Sequence, residues 1–123
     1  MKQIIEGVHR FRTEVFPAKK ELFSSLARQQ SPSALMISCG DSRVDMALVT
    51  QCEPGHLFVF RNAGNIIPPY GVALGAASAT VEYAMVALQI PNIIICGHSD
   101  CGAMKGVLAQ GIEATMPTVA QWL

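Results

Sequence analysis

Two short apolar runs, each emptying into a cysteine-bearing loop, set the frame for this chain. One is Asn92-Ile93-Ile94-Ile95-Cys96, followed by Gly97-His98-Ser99-Asp100-Cys101-Gly102. The other is Ala34-Leu35-Met36-Ile37-Ser38, followed by Cys39-Gly40-Asp41-Ser42-Arg43. Short aliphatic runs without polar alternation read as strands buried on both faces, the habit of parallel sheets. Open α/β sheets place their chemistry in the loops at the carboxyl ends of such strands. If the two strands are neighbours, Cys39, His98 and Cys101 meet at one sheet edge, with the Asp41 carboxylate and the Arg43 guanidinium beside them.

The remaining sequence supplies the layers around that sheet. Ile4, Val8, Phe11 and Val15 fall at helical spacing, which predicts a helix over 2–15, ended by Pro17. A second helix is expected over 18–29, with Leu22, Phe23 and Leu26 on its apolar side. Together they form an N-terminal arm (1–30) that packs on the core or lies on a partner subunit. Ser31-Pro32 is a turn, and the first strand occupies about 34–38. A short helix over 44–51 and the turn Glu53-Pro54-Gly55 lead to a second strand at 56–60. The polar loop Arg61-Asn62-Ala63-Gly64-Asn65 follows it. The longest helix is expected over 71–89; its small residues (Ala73, Gly75, Ala76, Ala77, Ser78, Ala79) suit a close approach to the sheet, Gly75 in particular. The third strand is at 92–96, and a helix runs from the Cys101 loop to about Gln110, where Gly111 ends it. Pro117 opens a last helix that finishes on an exposed Trp122-Leu123. The fold class is therefore α/β: three layers around a central parallel sheet with right-handed crossovers, and a helical arm before it. Residues 1–123 form one domain, with the α/β core at 31–110. Three strands are thin for a sheet covered on both faces, which predicts further sequence after residue 123 or a partner.

Composition narrows the function classes. Among the 123 residues, nine basic and nine acidic side chains cancel and are scattered, so neither a nucleic-acid footprint nor a polybasic membrane patch is present. No apolar stretch approaches the ~20 residues of a membrane-spanning helix. The acid at Glu6 interrupts what would be a leader, so a cytoplasmic location is expected. In that setting four cysteines favour metal binding over disulfides.

Two thiolates and one imidazole make three zinc ligands and leave the fourth position for water. This soft donor set prefers zinc to magnesium, calcium or manganese, and one Zn2+ per chain is expected. The thiolates cancel the charge of the ion, so the site acidifies bound water less than three histidines would. An ionised Asp41 can orient that water, with Arg43 keeping it ionised through a forked ion pair. Alternatively Asp41 swings in as a fourth ligand and closes the site.

The three motifs Cys39-x-Asp41-Ser42-Arg43, Arg61-Asn62-Ala63-Gly64-Asn65 and Gly97-His98-Ser99-x-Cys101-Gly102, in this order, resemble the β-class carbonic anhydrases. The likeness runs from about residue 30 to 106, and the N-terminal helices are similar to those of bacterial and cyanobacterial members. The resemblance implies that Cys39, His98 and Cys101 bind zinc, and that Asp41 and Arg43 form the catalytic dyad. It implies a CO2 pocket that includes Gln30, Phe58, Tyr83 and Gly102, with Phe58 and Tyr83 contributed across a subunit interface. The implied activity is reversible hydration of CO2 to bicarbonate and a proton, by zinc-hydroxide attack, in a homodimer or higher homo-oligomer. It also implies a fourth strand beside the third, and a setting free in the cytoplasm or in the carboxysome. Met36 stands where another branch carries a tryptophan for regulatory bicarbonate, which argues against that regulation.

Other readings stand beside these. A carbonyl sulfide or carbon disulfide hydrolase would reuse the same site. A non-catalytic zinc scaffold, or an inactive fragment, would hold the metal without turnover. Locally, Asp41 is also a candidate cap for the helix after it, and Arg43 a donor to loop carbonyls. Gln30 reads equally as turn chemistry, and Arg61-Asn62 as loop support. Cys96 reads as core packing and Cys52 as structural; His9 and His56 have no assigned role.

Overall fold

The computed structural model describes residues 1–72 and 75–123. The chain divides into two compact units, Met1–Gln30 and Ser31–Leu123.

In the first unit, helix α1 (Lys2–Arg10) passes through a wide π turn (Phe11–Val15) into α2 (Phe16–Ala18). Pro17 therefore does not end the helix as the sequence predicts. A proline in a helix clashes with the carbonyl four residues back. The preceding wide turn, in which the Phe16 amide donates to the Phe11 carbonyl, makes room for the ring. The break comes at Lys19 (φ −110°, ψ 24°), and α3 (Lys20–Leu26) follows. Three rings cluster in this unit: Phe16 stacks on Phe23 at 5.2 Å, and Phe11 meets Phe23 edge-on at 5.8 Å.

The second unit carries the sheet, built from β1 (Ala34–Cys39), β2 (Leu57–Asn62) and β3 (Ile93–Cys96). All pairs are parallel and the spatial order is β2-β1-β3. Central β1 is buried along its whole length, as its unbroken apolar run requires. Leu35 and Ile37 join Ala84 and Ile90 in the core, with Phe58, Phe60, Ile67, Val81 and Leu88 packed around them. The third strand is an edge of the sheet. Ile93, Ile94 and Ile95 are 43%, 44% and 58% exposed, because among the described residues β3 pairs only with β1.

The connections are α4 (Met46–Thr50), a 3-10 turn at Ala63–Asn65, α5 (Ala76–Glu82) with a wide final turn at Tyr83–Ala87, α6 (Gly102–Leu108), α7 (Ile112–Thr115) and α8 (Pro117–Trp122). The helix expected over 71–89 thus starts only at Ala76. Gly75 precedes it, and an added Cβ there would meet nothing within 4 Å among the described residues, so no close approach is seen at this glycine. Ala73, named among the small residues, lies outside the described residues. Helix α4 is capped by Asp45, whose Oδ1 accepts from the Leu48 amide at 2.8 Å. Asp41 is not the cap. Nor is Trp122 a free end: it is half-buried, and its Nε1 donates to the Ala63 carbonyl at 2.7 Å.

Candidate metal centre

The order β2-β1-β3 reverses direction between β1 and β3, and crevices of open α/β sheets form at the carboxyl side of such a switch. Register places Cys39, the last residue of β1, opposite Asn62 of β2, while Cys96 at the end of β3 lies opposite Ser38. His98 follows β3 by two residues, and Cys101 is the N-cap of α6. The cluster anticipated at this edge is thereby assembled: Cys39 Sγ, Cys101 Sγ and a His98 ring nitrogen all lie within 4.8 Å of one another.

The spacing suits a metal. Two sulfurs about 2.3 Å from a tetrahedral zinc stand roughly 3.8 Å apart. Cys39 Sγ and Cys101 Sγ are 3.7 Å apart, both buried, and both thiols are free. His98 Nε2 is buried and has no hydrogen-bond partner among the described residues, as is true also of Ser38 Oγ. Buried polar nitrogens are seldom left unsatisfied. A cation between the two sulfurs and this nitrogen would satisfy it, so the residues present fit zinc.

The loops that present these donors are held from β2. Arg61 donates Nε to the Cys39 carbonyl at 3.0 Å, and Nη2 to the carbonyls of Asp41 and Val44, each at 2.7 Å. The Gly40 amide donates to the Asn62 carbonyl at 2.7 Å. Asn62 closes its own turn, donating Nδ2 to the Ile66 carbonyl at 2.8 Å and accepting from the Ile66 amide at 3.0 Å. Inside that turn Gly64 is left-handed (φ +82°), and a Cβ there would lie 2.6 Å from Met104 Cε and 3.3 Å from Ala103 Cβ. Glycine is required here because the turn presses on α6 just beyond Cys101.

Asp41 turns inward and is gripped by Arg43. Its Oδ1 accepts from the Arg43 amide (2.9 Å) and Nε (3.0 Å), and its Oδ2 from Nη2 (2.7 Å). Oδ2 also stands 4.0 Å from His98 Nε2, with the two side chains only 16% and 14% exposed. The other edge of Arg43 reaches the opposite loop, donating Nη1 to Asp100 Oδ2 at 3.2 Å and Nη2 to the Asp100 carbonyl at 3.1 Å. Lys105 Nζ donates to Asp100 Oδ1.

These contacts set the protonation states. Hydrogen bonds from Arg43 hold the Asp41 carboxyl well below the usual carboxylate range, and Asp41 in turn raises Arg43 further. Burial pushes the Cys39 thiol up, but His98, the backbone of Asp41 and Gly64, and Cys101 outweigh it and bring it down to about 7. His98 is raised, chiefly by the Cys39 side chain beside it, against burial, with the Ser99 backbone and the charge of Asp41 adding. Asp100 is lowered, by Lys105 first and then Arg43. The centre thus holds a thiol near its thiolate form, an ionised carboxylate and a fixed cation, the arrangement a thiolate-imidazole metal site needs.

Phe58, Tyr83 and Gly102, proposed for the pocket, lie on three different elements. Phe58 lies opposite Leu35, four register steps from the Cys39–Asn62 pair, or about 13 Å along the strand. Its ring is 6.0 Å from that of Tyr83, which is half exposed. Gly102 begins α6 directly after Cys101. Gln30 ends the first unit. Cys52 and Cys96 are outside the cluster, and Cys96 is half-exposed rather than packed in the core, with its thiol toward the Gly97 carbonyl. Sequence reasoning missed Asp100 and Lys105. The signal available was an acid between two ligands and a lysine four residues beyond Cys101.

Comparison with known proteins agrees with this geometry. The family model described as carbonic anhydrase matches residues 34–123. A carbonic anhydrase of Pseudomonas aeruginosa is 52% identical over 123 residues, covering 100% of this chain and 56% of that protein. The structure of the β-carbonic anhydrase CcaA superposes with a TM-score of 0.97 at 53% identity, covering 100% of this chain and 60% of that one. One of two tetrameric β-carbonic anhydrases from Sordaria macrospora superposes at 0.79 with 32% identity, over 89% of this chain and 54% of that one. The chain spans about half the length of the curated relatives it matches.

Proposed function

The chain belongs to the β-carbonic anhydrase family, and from that premise we propose that it carries the metal site for reversible hydration of CO2 to bicarbonate and a proton. The observation that carries the proposal is the donor set itself: two free sulfurs 3.7 Å apart and a buried, unsatisfied imidazole nitrogen beside them. Cys39, His98 and Cys101 would hold one Zn2+, which when bound supplies Lewis-acid activation of water.

The protein's own groups then have distinct tasks. Asp41 is the acceptor that orients a water's proton. Arg43 hydrogen-bonds both oxygens and so favours the ionised form, and Asp41 Oδ2 lies 4.0 Å from His98 Nε2. Arg43 prevents that carboxylate from taking up the proton, and fixes its direction by the fork. Arg61 pins the carbonyls of the Cys39 loop, so the oxygen-accepting and metal-holding groups move as one piece. Gln30, Phe58, Tyr83 and Gly102 are assigned to the CO2 pocket on the family resemblance, with the aromatic pair contributed between subunits. A homodimer or higher homo-oligomer is proposed accordingly, and the tetrameric Sordaria relatives support it. Free thiolate donors suit a reducing, cytoplasmic compartment.

The test is stopped-flow CO2 hydration by the purified, zinc-loaded chain, with carbonyl sulfide as a parallel substrate. Zinc-dependent CO2 hydration abolished by Asp41→Ala supports the proposal. Turnover of carbonyl sulfide alone, or zinc binding without any turnover, overturns it.

A further inference from the structure

We propose that Asp100, held by Lys105, is a positioning residue that locks the two ligand-bearing loops together through Arg43. The inference rests on the reading that Cys39, His98 and Cys101 hold a metal.

The Arg43 guanidinium has two usable edges. One is committed to Asp41, two residues beyond Cys39, through Nε at 3.0 Å and Nη2 at 2.7 Å. The other is committed to Asp100, through Nη1 to the carboxylate at 3.2 Å and Nη2 to the carbonyl at 3.1 Å. Asp100 stands between His98 and Cys101 in sequence. A rigid, planar fork therefore ties the loop that carries Cys39 to the loop that carries the other two donors. Their relative position decides whether three ligand atoms meet at one point.

Two further features prepare Asp100 for this task. Its backbone is left-handed, φ +56°, a conformation that Asp and Asn tolerate better than other side chains. The turn it makes there brings His98 and Cys101 to the same centre. Lys105 of α6 takes Oδ1, so that Oδ2 is left for Arg43 and the carboxylate is drawn away from service as a metal ligand. The side chains of Arg43, Asp100 and Lys105 are 61%, 60% and 68% exposed. Ion pairs at such exposure contribute little to stability. The clasp should therefore show itself in metal binding rather than in melting temperature.

The experiment measures zinc affinity by competition with a chelator, and the d–d absorption bands of the Co2+-substituted chain, for the unaltered protein and for Asp100→Asn, Lys105→Met, Arg43→Met and the Arg43→Met/Asp100→Asn double variant. Asp100→Asn keeps the size and the left-handed preference and removes the charge. It should weaken zinc binding about tenfold and shift the Co2+ bands, with Lys105→Met about threefold weaker. The melting temperature of the metal-free Asp100→Asn chain should stay within a few degrees of the parent. If Asp100 acts through Arg43, adding Asp100→Asn to Arg43→Met should change the affinity by less than about twofold. An Asp100→Asn affinity equal to the parent's, unshifted bands, or full additivity with Arg43→Met overturns the proposal. A parent chain that binds no zinc overturns the metal-site reading and this proposal with it, whereas a zinc-loaded parent with an unaffected Asp100→Asn variant overturns this proposal alone.

Discussion

Gly64→Ala is the sharpest test of how the turn after β2 supports the metal centre. Two effects act at this position. An L-residue held at φ +82° costs roughly 1–2 kcal/mol relative to glycine. The new methyl would also sit 2.6 Å from Met104 Cε, 3.3 Å from Ala103 Cβ and 3.4 Å from Ile66 Cδ1. Met104 is a flexible, partly exposed side chain that can turn aside at a cost of about 0.5–1.5 kcal/mol. Ala103 has no such freedom, so α6 must shift by a few tenths of an ångström. The two costs together come to about 1.5–3.5 kcal/mol. Gly111→Ala is the control, since that residue is also left-handed (φ +74°) but an added Cβ meets nothing within 4 Å; only the backbone cost, roughly 1–2 kcal/mol, applies there. Urea unfolding of the metal-free chains measures both. Because α6 begins right after Cys101, Gly64→Ala should also weaken zinc binding, which Gly111→Ala should leave alone. Equal destabilisation by the two substitutions, with zinc affinity unchanged in both, would refute the claim that this turn braces α6.

Cys39→Ser and His98→Ala should each purify with little zinc by atomic absorption; full occupancy in either would remove that residue from the ligand set. Asp41→Ala should retain zinc while losing about 10²-fold or more of its CO2 hydration rate, and an unchanged rate would end its catalytic assignment. Arg61→Met strips donors from the carbonyls of Cys39, Asp41 and Val44, and should destabilise the chain by about 2–4 kcal/mol in urea, with Arg61→Lys recovering less than half; a change within experimental error would show that these bonds are replaceable by water. The carboxyls of Asp41 and Asp100 are lowered in the folded chain, so the stability they contribute is fully present above the unfolded value near 3.9 and is lost as pH falls through the native values. Unfolding free energies of the metal-free chain from pH 5 downward should therefore fall, and fall less steeply in Asp41→Asn; parallel curves would contradict the linkage.

The sheet and the donor cluster were legible in sequence because both rest on short-range signals. Ala34–Cys39 and Ile93–Cys96 are aliphatic runs that no amphipathic helix would carry, and each is followed at once by its ligand loop. Once the strands are parallel neighbours, convergence of Cys39, His98 and Cys101 follows from topology alone. What escaped depends on contacts across the fold. Pro17 reads as a stop, yet a wide turn one step earlier absorbs it. Asp41 reads as a cap, but the helix starts at Met46, so Asp45 directly before it takes that role while Arg43 occupies both oxygens of Asp41. Trp122 looks exposed until the Ala63 carbonyl, far away in sequence, supplies a partner. Asp100 drew no reading from sequence because its partner, Arg43, lies on another strand's loop.

The central claim, that Cys39, His98 and Cys101 form one zinc site, is tested most directly by metal analysis combined with zinc K-edge X-ray absorption on the purified chain. The account predicts one zinc per chain, with two sulfurs at about 2.3 Å and a nitrogen at about 2.0–2.1 Å in a four-coordinate shell. Substoichiometric zinc, or a shell of nitrogen and oxygen without the sulfur pair, would contradict it.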